Sequence, residues 1–156
     1  MMTKLLKLIL PALLGVTAIG CEKADDLCCF VERKAGESLE GSWLLYERGY
    51  SPGAGYIIEP VPADPAKILT FGSNGELSAN LESIKQFKYY RILDDPYAQE
   101  QKILALYTDD PGDEPQDISQ LQHSYSITRT DNNLKLSFRY CIEGCHMSFR
   151  PIALEQ

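Results

Sequence analysis

Seven side chains in this sequence have the chemistry for covalent or metal work: Cys21, Cys28, Cys29, Cys141, Cys145, His123 and His146. Zinc sites recur at a few Cys/His spacings, and Cys145-His146 beside Cys141 matches none of them. A nucleophilic side chain needs a base within reach, and no Gly-x-Ser-x-Gly elbow is present to supply a serine in that role. The acidic turns Asp94-Asp95 and Asp109-Asp110, with Asp113 and Glu114, offer oxygen ligands for calcium. Both aspartate pairs run into a proline, and neither has the ordered spacing of a dedicated calcium loop. The expectation is a non-catalytic protein with no metal and no cofactor. An enzyme would require a buried, converging polar cluster around His123.

Cys21 stands apart from the other cysteines because of what precedes it. Lys4 and Lys7 lead an apolar run over residues 8–19 that stops at Gly20-Cys21. A positive start, a short apolar centre and small residues before a cut are the parts of a secretory signal. The run falls short of the ~20 residues that span a bilayer as a helix. Ala18-Ile19-Gly20-Cys21 resembles the lipobox of bacterial lipoproteins, with Ala18 where Leu is the more frequent residue. The resemblance implies that residues 1–20 are removed and that Cys21 carries the lipid. Residues 21–38 then form a polar tether. Acyl chains, at ~0.8 kcal/mol per buried CH₂, would be the tie to the membrane. The next five residues, Glu22-Lys23-Ala24-Asp25-Asp26, resemble the Lys-plus-acidic tag that exports some lipoproteins to the outer face of the outer membrane, and they also read as a solvated linker. An outer-membrane, lipid-anchored location follows as an expectation.

The whole chain carries a formal charge of −7, and loss of Lys4 and Lys7 with no acidic residue takes it to −9. Such a surface is a poor match for phosphate backbones, so no nucleic-acid partner is expected. In an oxidising envelope the even set Cys28, Cys29, Cys141 and Cys145 reads as disulfide candidates. A local bridge across Ile142-Glu143-Gly144 is one arrangement, and cross-links from 28/29 to 141/145 are the other.

Residues 27–34 place Leu27, Phe30 and Val31 at helical spacing, a single apolar face within the tether. Beyond residue 39 the pattern is that of strands: 39–47, 67–71, 76–81, 86–93, 102–107, 123–129, 134–140 and 146–152. Turns and short polar loops join most of them and leave no room for crossover helices. Residues 39–156 therefore predict one all-β domain, an eight-stranded antiparallel up-and-down barrel, expected as a monomer.

Gly41-Ser42-Trp43 on the first strand, the hairpin around Gly72-Ser73-Asn74-Gly75, and the ending Cys141-Ile142-Glu143-Gly144-Cys145 with Phe149-Arg150 resemble lipocalin-like domains of bacterial lipoproteins. That resemblance implies that Gly41 and Trp43 close the barrel floor with Arg150 lying across the indole. It also implies a small apolar ligand inside. The expected inward residues are Leu77, Ala79, Tyr89, Ala105, Tyr107, Tyr125, Ile127, Leu136 and Phe138, of which Ala79, Tyr89, Ala105, Tyr107, Tyr125 and Phe138 are the ligand-lining candidates. An eight-stranded barrel is just wide enough to be filled by side chains or to hold one small ligand. If it is filled, the loops, such as residues 50–65 with their glycines and prolines, are the alternative working surface, and the protein is an interaction or inhibitory module.

Overall fold

The computed structural model describes residues 30–32, 38–113, 117–121, 123–130, 132–141 and 144–154. In chain order the strands are β1 Phe30–Glu32, β2 Gly41–Tyr50, β3 Ile57–Pro60, β4 Ile68–Phe71, β5 Leu77–Ala79, β6 Tyr89–Asp94, β7 Lys102–Tyr107, β8 Ser124–Thr130, β9 Asn133–Phe138 and β10 His146–Leu154. Eight of them follow one another in the order β5-β4-β2-β10-β9-β8-β7-β6, all antiparallel. The two end strands meet at the Glu76–Tyr89 bridge. There the Leu77 N–H donates to the Lys88 carbonyl at 2.7 Å and the Tyr90 N–H to the Gly75 carbonyl at 2.8 Å. The expected eight-stranded antiparallel barrel is what this chain forms, and it is nearly closed.

β2 and β10 are its spine. β2 pairs with β10 from Ser42 to Gly49, while its other edge is divided between β4 (Gly41–Leu44) and β3 (Glu47–Tyr50). β10 does the same on its far side, pairing first with β9 and then, from Ile152 onward, with β1. Backbone donors and acceptors need partners wherever water is excluded. β1 and β3 supply them where β9 and β4 run out. Neither strand follows from the sequence pattern: residues 30–32 lie in a stretch with helical spacing, and residues 57–60 in one rich in glycine and proline.

Alternation along the strands sends one set of side chains inward. Trp43, Leu45, Leu69, Phe71, Leu77, Leu104, Leu106, Tyr125, Leu134, Leu136 and Phe149 form one buried cluster. The 80–88 connection adds Leu81, Ile84 and Phe87, so its apolar side plugs the barrel and its polar side faces out. The Trp43 indole N–H donates to the Leu39 carbonyl at 2.7 Å, which ties the residues entering β2 beneath the ring.

One irregularity decides the placement of polar groups. The register between β2 and β10 shifts between Ser148 and Phe149: Phe149 lies opposite Leu45, but Ser148 lies opposite Glu47. Tyr46 is the extra residue, a β-bulge. Past it, Glu47 shares a face with Ser148, and Arg48 shares the inward face with Met147.

Candidate functional site

The barrel is packed through its middle, and the space lies at one mouth, where β8 begins, β9 ends and β10 begins. A cleft of about 440 Å³ opens there between the 82–86 segment and the strands. Its floor is Tyr125, Leu136, Phe138 and Met147; its rim includes Glu82, Gln86 and His123. A second cleft of about 720 Å³ lies on the other side of the same segment, against Leu45, Arg48, Val61 and Lys67, and the two share Glu82, Ser83, His146 and Met147. Both volumes fall in the range of small-molecule sites.

Within the smaller cleft, the Tyr125 ring packs at a tilt of 50° against Phe138, with ring centroids 5.5 Å apart, and is only 4% exposed. Burial pushes its phenol above the ordinary value, so the hydroxyl stays neutral. Glu82 at the rim is held below the usual carboxylate range by its hydrogen bond to Lys85, 2.6 Å away.

Beside the clefts a polar chain crosses from β2 to β10. Glu47 Oε1 accepts from Ser148 Oγ at 3.1 Å and meets His146 Nε2 at 3.3 Å. His146 Nδ1 is hydrogen bonded to the Tyr56 hydroxyl. A carboxylate can only accept, so in the neutral imidazole the proton sits on Nε2 and Nδ1 receives the Tyr56 O–H. Gly49 makes this approach feasible: a Cβ there would fall inside van der Waals contact of His146 Cε1 and the Tyr56 oxygen. The bulge at Tyr46 turns Glu47 toward His146. This acid–imidazole–phenol chain is the converging cluster that an enzyme would need, centred on His146 rather than His123. Burial and the Glu47 charge push Tyr56 upward, keeping it protonated. The chain works as a clasp that holds residues 51–56 against the start of β10.

Cys141 and Cys145 are joined to each other, with sulfurs 1.98 Å apart. Of the two arrangements read from the sequence, the local bridge is the one present for this pair. Gly144 adopts φ +85° inside the loop, the conformation that favours glycine, and its N–H donates to the Cys141 carbonyl at 3.2 Å. Cys21, Cys28 and Cys29 lie outside the described residues. Among the described residues no group of three His, Cys, Asp or Glu side chains is placed to hold a metal ion.

The expected inward residues divide. Leu77, Ala79, Tyr125, Ile127, Leu136 and Phe138 belong to or pack against the central cluster. Tyr89, Ala105 and Tyr107 do not. Leu104 and Leu106 are the inward residues of β7, opposite Ile92 and Tyr90. Ala105 therefore faces outward with Arg91 and Ser124, and Tyr107 with Tyr89. Both faces of β7 are apolar, which erases the alternation that would have told them apart. Gly41 opens β2 opposite Phe71, and Trp43 is fully buried. The cation over its ring is a correction: Arg129 lies 5.9 Å from the indole centroid. Arg150 sits opposite Leu44, while Pro151 is the residue opposite Trp43, so Arg150 belongs to the other face of the sheet.

Glu47, Tyr56 and Ser148 were not foreseen, since partners some ninety or a hundred residues apart leave no local signal. Met147 falls between Cys145 and Phe149 of the C-terminal ending, yet its inward direction becomes legible only with the register against Leu136.

Compared with protein-family models, curated proteins and solved structures, the chain matches none.

Proposed function

We propose that this chain is a lipid-anchored lipoprotein of the bacterial cell envelope, held by acyl chains on Cys21 in the outer membrane, whose lipocalin-like barrel binds a small apolar molecule without transforming it. The observation that carries the binding half is the cleft of about 440 Å³ at the barrel mouth, floored by Tyr125, Leu136, Phe138 and Met147. Apolar walls with a few convergent polar groups are what small-ligand sites present. The anchoring half rests on the sequence of residues 1–26.

Native mass spectrometry of the protein taken from its own envelope tests both. A diacylated or triacylated Cys21 with a co-purifying small molecule is the expected result. An unmodified Cys21 would overturn the anchor, and a clean apo mass at every collision energy would overturn the carrier.

A second reading has its own observation. Tyr50 at the end of β2, Tyr56 in the loop that follows, and Ile57 and Ile58 on β3 are all exposed, Ile58 at 58%. An exposed apolar patch of this kind marks protein contacts. Capture of one defined envelope protein, abolished by Ile58→Lys, would favour an interaction module.

A further inference from the structure

We infer that the mouth cleft selects an uncharged amphiphile bearing one neutral hydrogen-bonding group, such as an alcohol, ketone or ester, and that the Tyr125 hydroxyl is the group that receives it. This rests on the carrier reading above and specifies its ligand.

Three observations lead there. First, Tyr125 lines the cleft and is 4% exposed, yet its hydroxyl has no hydrogen-bond partner among the described residues. The hydroxyl is not among the described side-chain atoms that are both sealed from solvent and unpaired, so it opens onto the cleft. An apolar occupant that drives water from it leaves a buried phenol unpaired, at a cost of roughly 1–3 kcal/mol, whereas an occupant that bonds to it does not.

Second, the charges around the cleft disfavour ions of either sign. No Lys or Arg lines it, and of its two histidines His146 is already bonded to Tyr56 and Glu47, so His123 is the one imidazole that a carboxylate or phosphate could meet. Glu82, the one carboxylate on its rim, already holds Lys85 and would repel an anion at the entrance. An ammonium group entering would lose its hydration with that carboxylate already engaged. A neutral group meets neither obstacle.

Third, the walls set the size. At ~30 Å³ per small group, the share of a water molecule in the liquid, a cleft of about 440 Å³ holds on the order of ten to fifteen non-hydrogen atoms.

The test is a calorimetric titration of the full chain and of Tyr125→Phe with 2-decanone, n-decanol, decanoate and naphthalene at pH 7. The variant keeps the ring against Phe138, and the hydroxyl that it removes makes no bond within the described residues, so it should fold as the parent does; its far-ultraviolet spectrum checks this. Comparing the two proteins cancels any partition of the probes elsewhere in the sample.

The ketone and the alcohol are expected to bind, with decanoate at least tenfold weaker. The variant should lose about fivefold for the ketone and alcohol, the worth of one ordinary hydrogen bond, and nothing for naphthalene. If naphthalene binds but the ketone and alcohol are indifferent to Tyr125→Phe, the Tyr125 inference fails and the carrier reading stands. Decanoate as the tightest probe would overturn the neutral-group assignment. If no probe binds either protein, the carrier reading fails and this inference with it.

Discussion

Arg129 lies over the face of Trp43, its guanidinium carbon 5.9 Å from the ring centroid, and joins β8 to β2 across the barrel interior. Trp43 is the sole tryptophan of the chain, so its emission reports this contact without interference. Arg129→Met keeps the stem and removes the cation; it should shift Trp43 emission and lower stability to urea by about 0.5–2 kcal/mol. Arg150→Met should leave the emission unchanged, because Arg150 stands opposite Leu44 on the other face. The reverse pattern would show that the Trp43 partner is misassigned.

Gly49→Ala places a methyl group against His146 and Tyr56. Overpacking of this kind costs about 1–3 kcal/mol. Tyr56→Phe removes only the hydrogen bond to His146 Nδ1 and should cost about 1 kcal/mol. Chemical denaturation of both variants checks the ranking. Equal, negligible effects would mean that the clasp does not close in solution.

Replacing Cys141 and Cys145 together by Ser opens a five-residue loop, for which chain entropy gives about 2 kcal/mol of lost stability. Peptide mapping without reductant should recover Cys141 and Cys145 in one linked fragment. A fragment linking either residue to Cys28 or Cys29 would contradict the local bridge.

Alkaline pH should unfold the protein in a predictable direction. Burial raises Tyr90, Tyr107 and Tyr125 above 10.0, the ordinary tyrosine value. The folded state thus keeps phenolic protons that the unfolded chain gives up. Their contribution is intact below pH 10.0 and is lost as pH rises from there through the folded values. Thermal melts at pH 9 and pH 11 test the sign, and Tyr125→Phe should flatten part of the fall. Stability rising across that interval would refute it.

Much of the barrel was legible because β9 and the β4–β5 hairpin alternate cleanly. Leu134, Leu136 and Phe138 announce one face, with Asn133, Lys135 and Ser137 on the other. β7 is silent by comparison, since Ile103, Leu104, Ala105 and Leu106 are all buried. No period separates the faces of such a run, and Ala105 and Tyr107 were placed inside when they belong outside. β3 stayed hidden between turn-forming residues: its pairing is dictated by the edge of β2 rather than by its own four residues. The clasp depends on the bulge at Tyr46, one surplus residue in a strand, and no composition rule marks which residue of an aromatic run will be the surplus one.

The seam between β5 and β6 has a consequence of its own. Neighbouring strands elsewhere in the barrel share three or more paired residues, while these two share one bridge. Like a hoop with one short weld, the cylinder should part there first, and the amides of Leu77 and Tyr90 should exchange with solvent ahead of those on β2 and β10. A lateral door of that kind would let the wall swing open beside Phe71 and Leu77 while the strands carrying the mouth cleft stay in register.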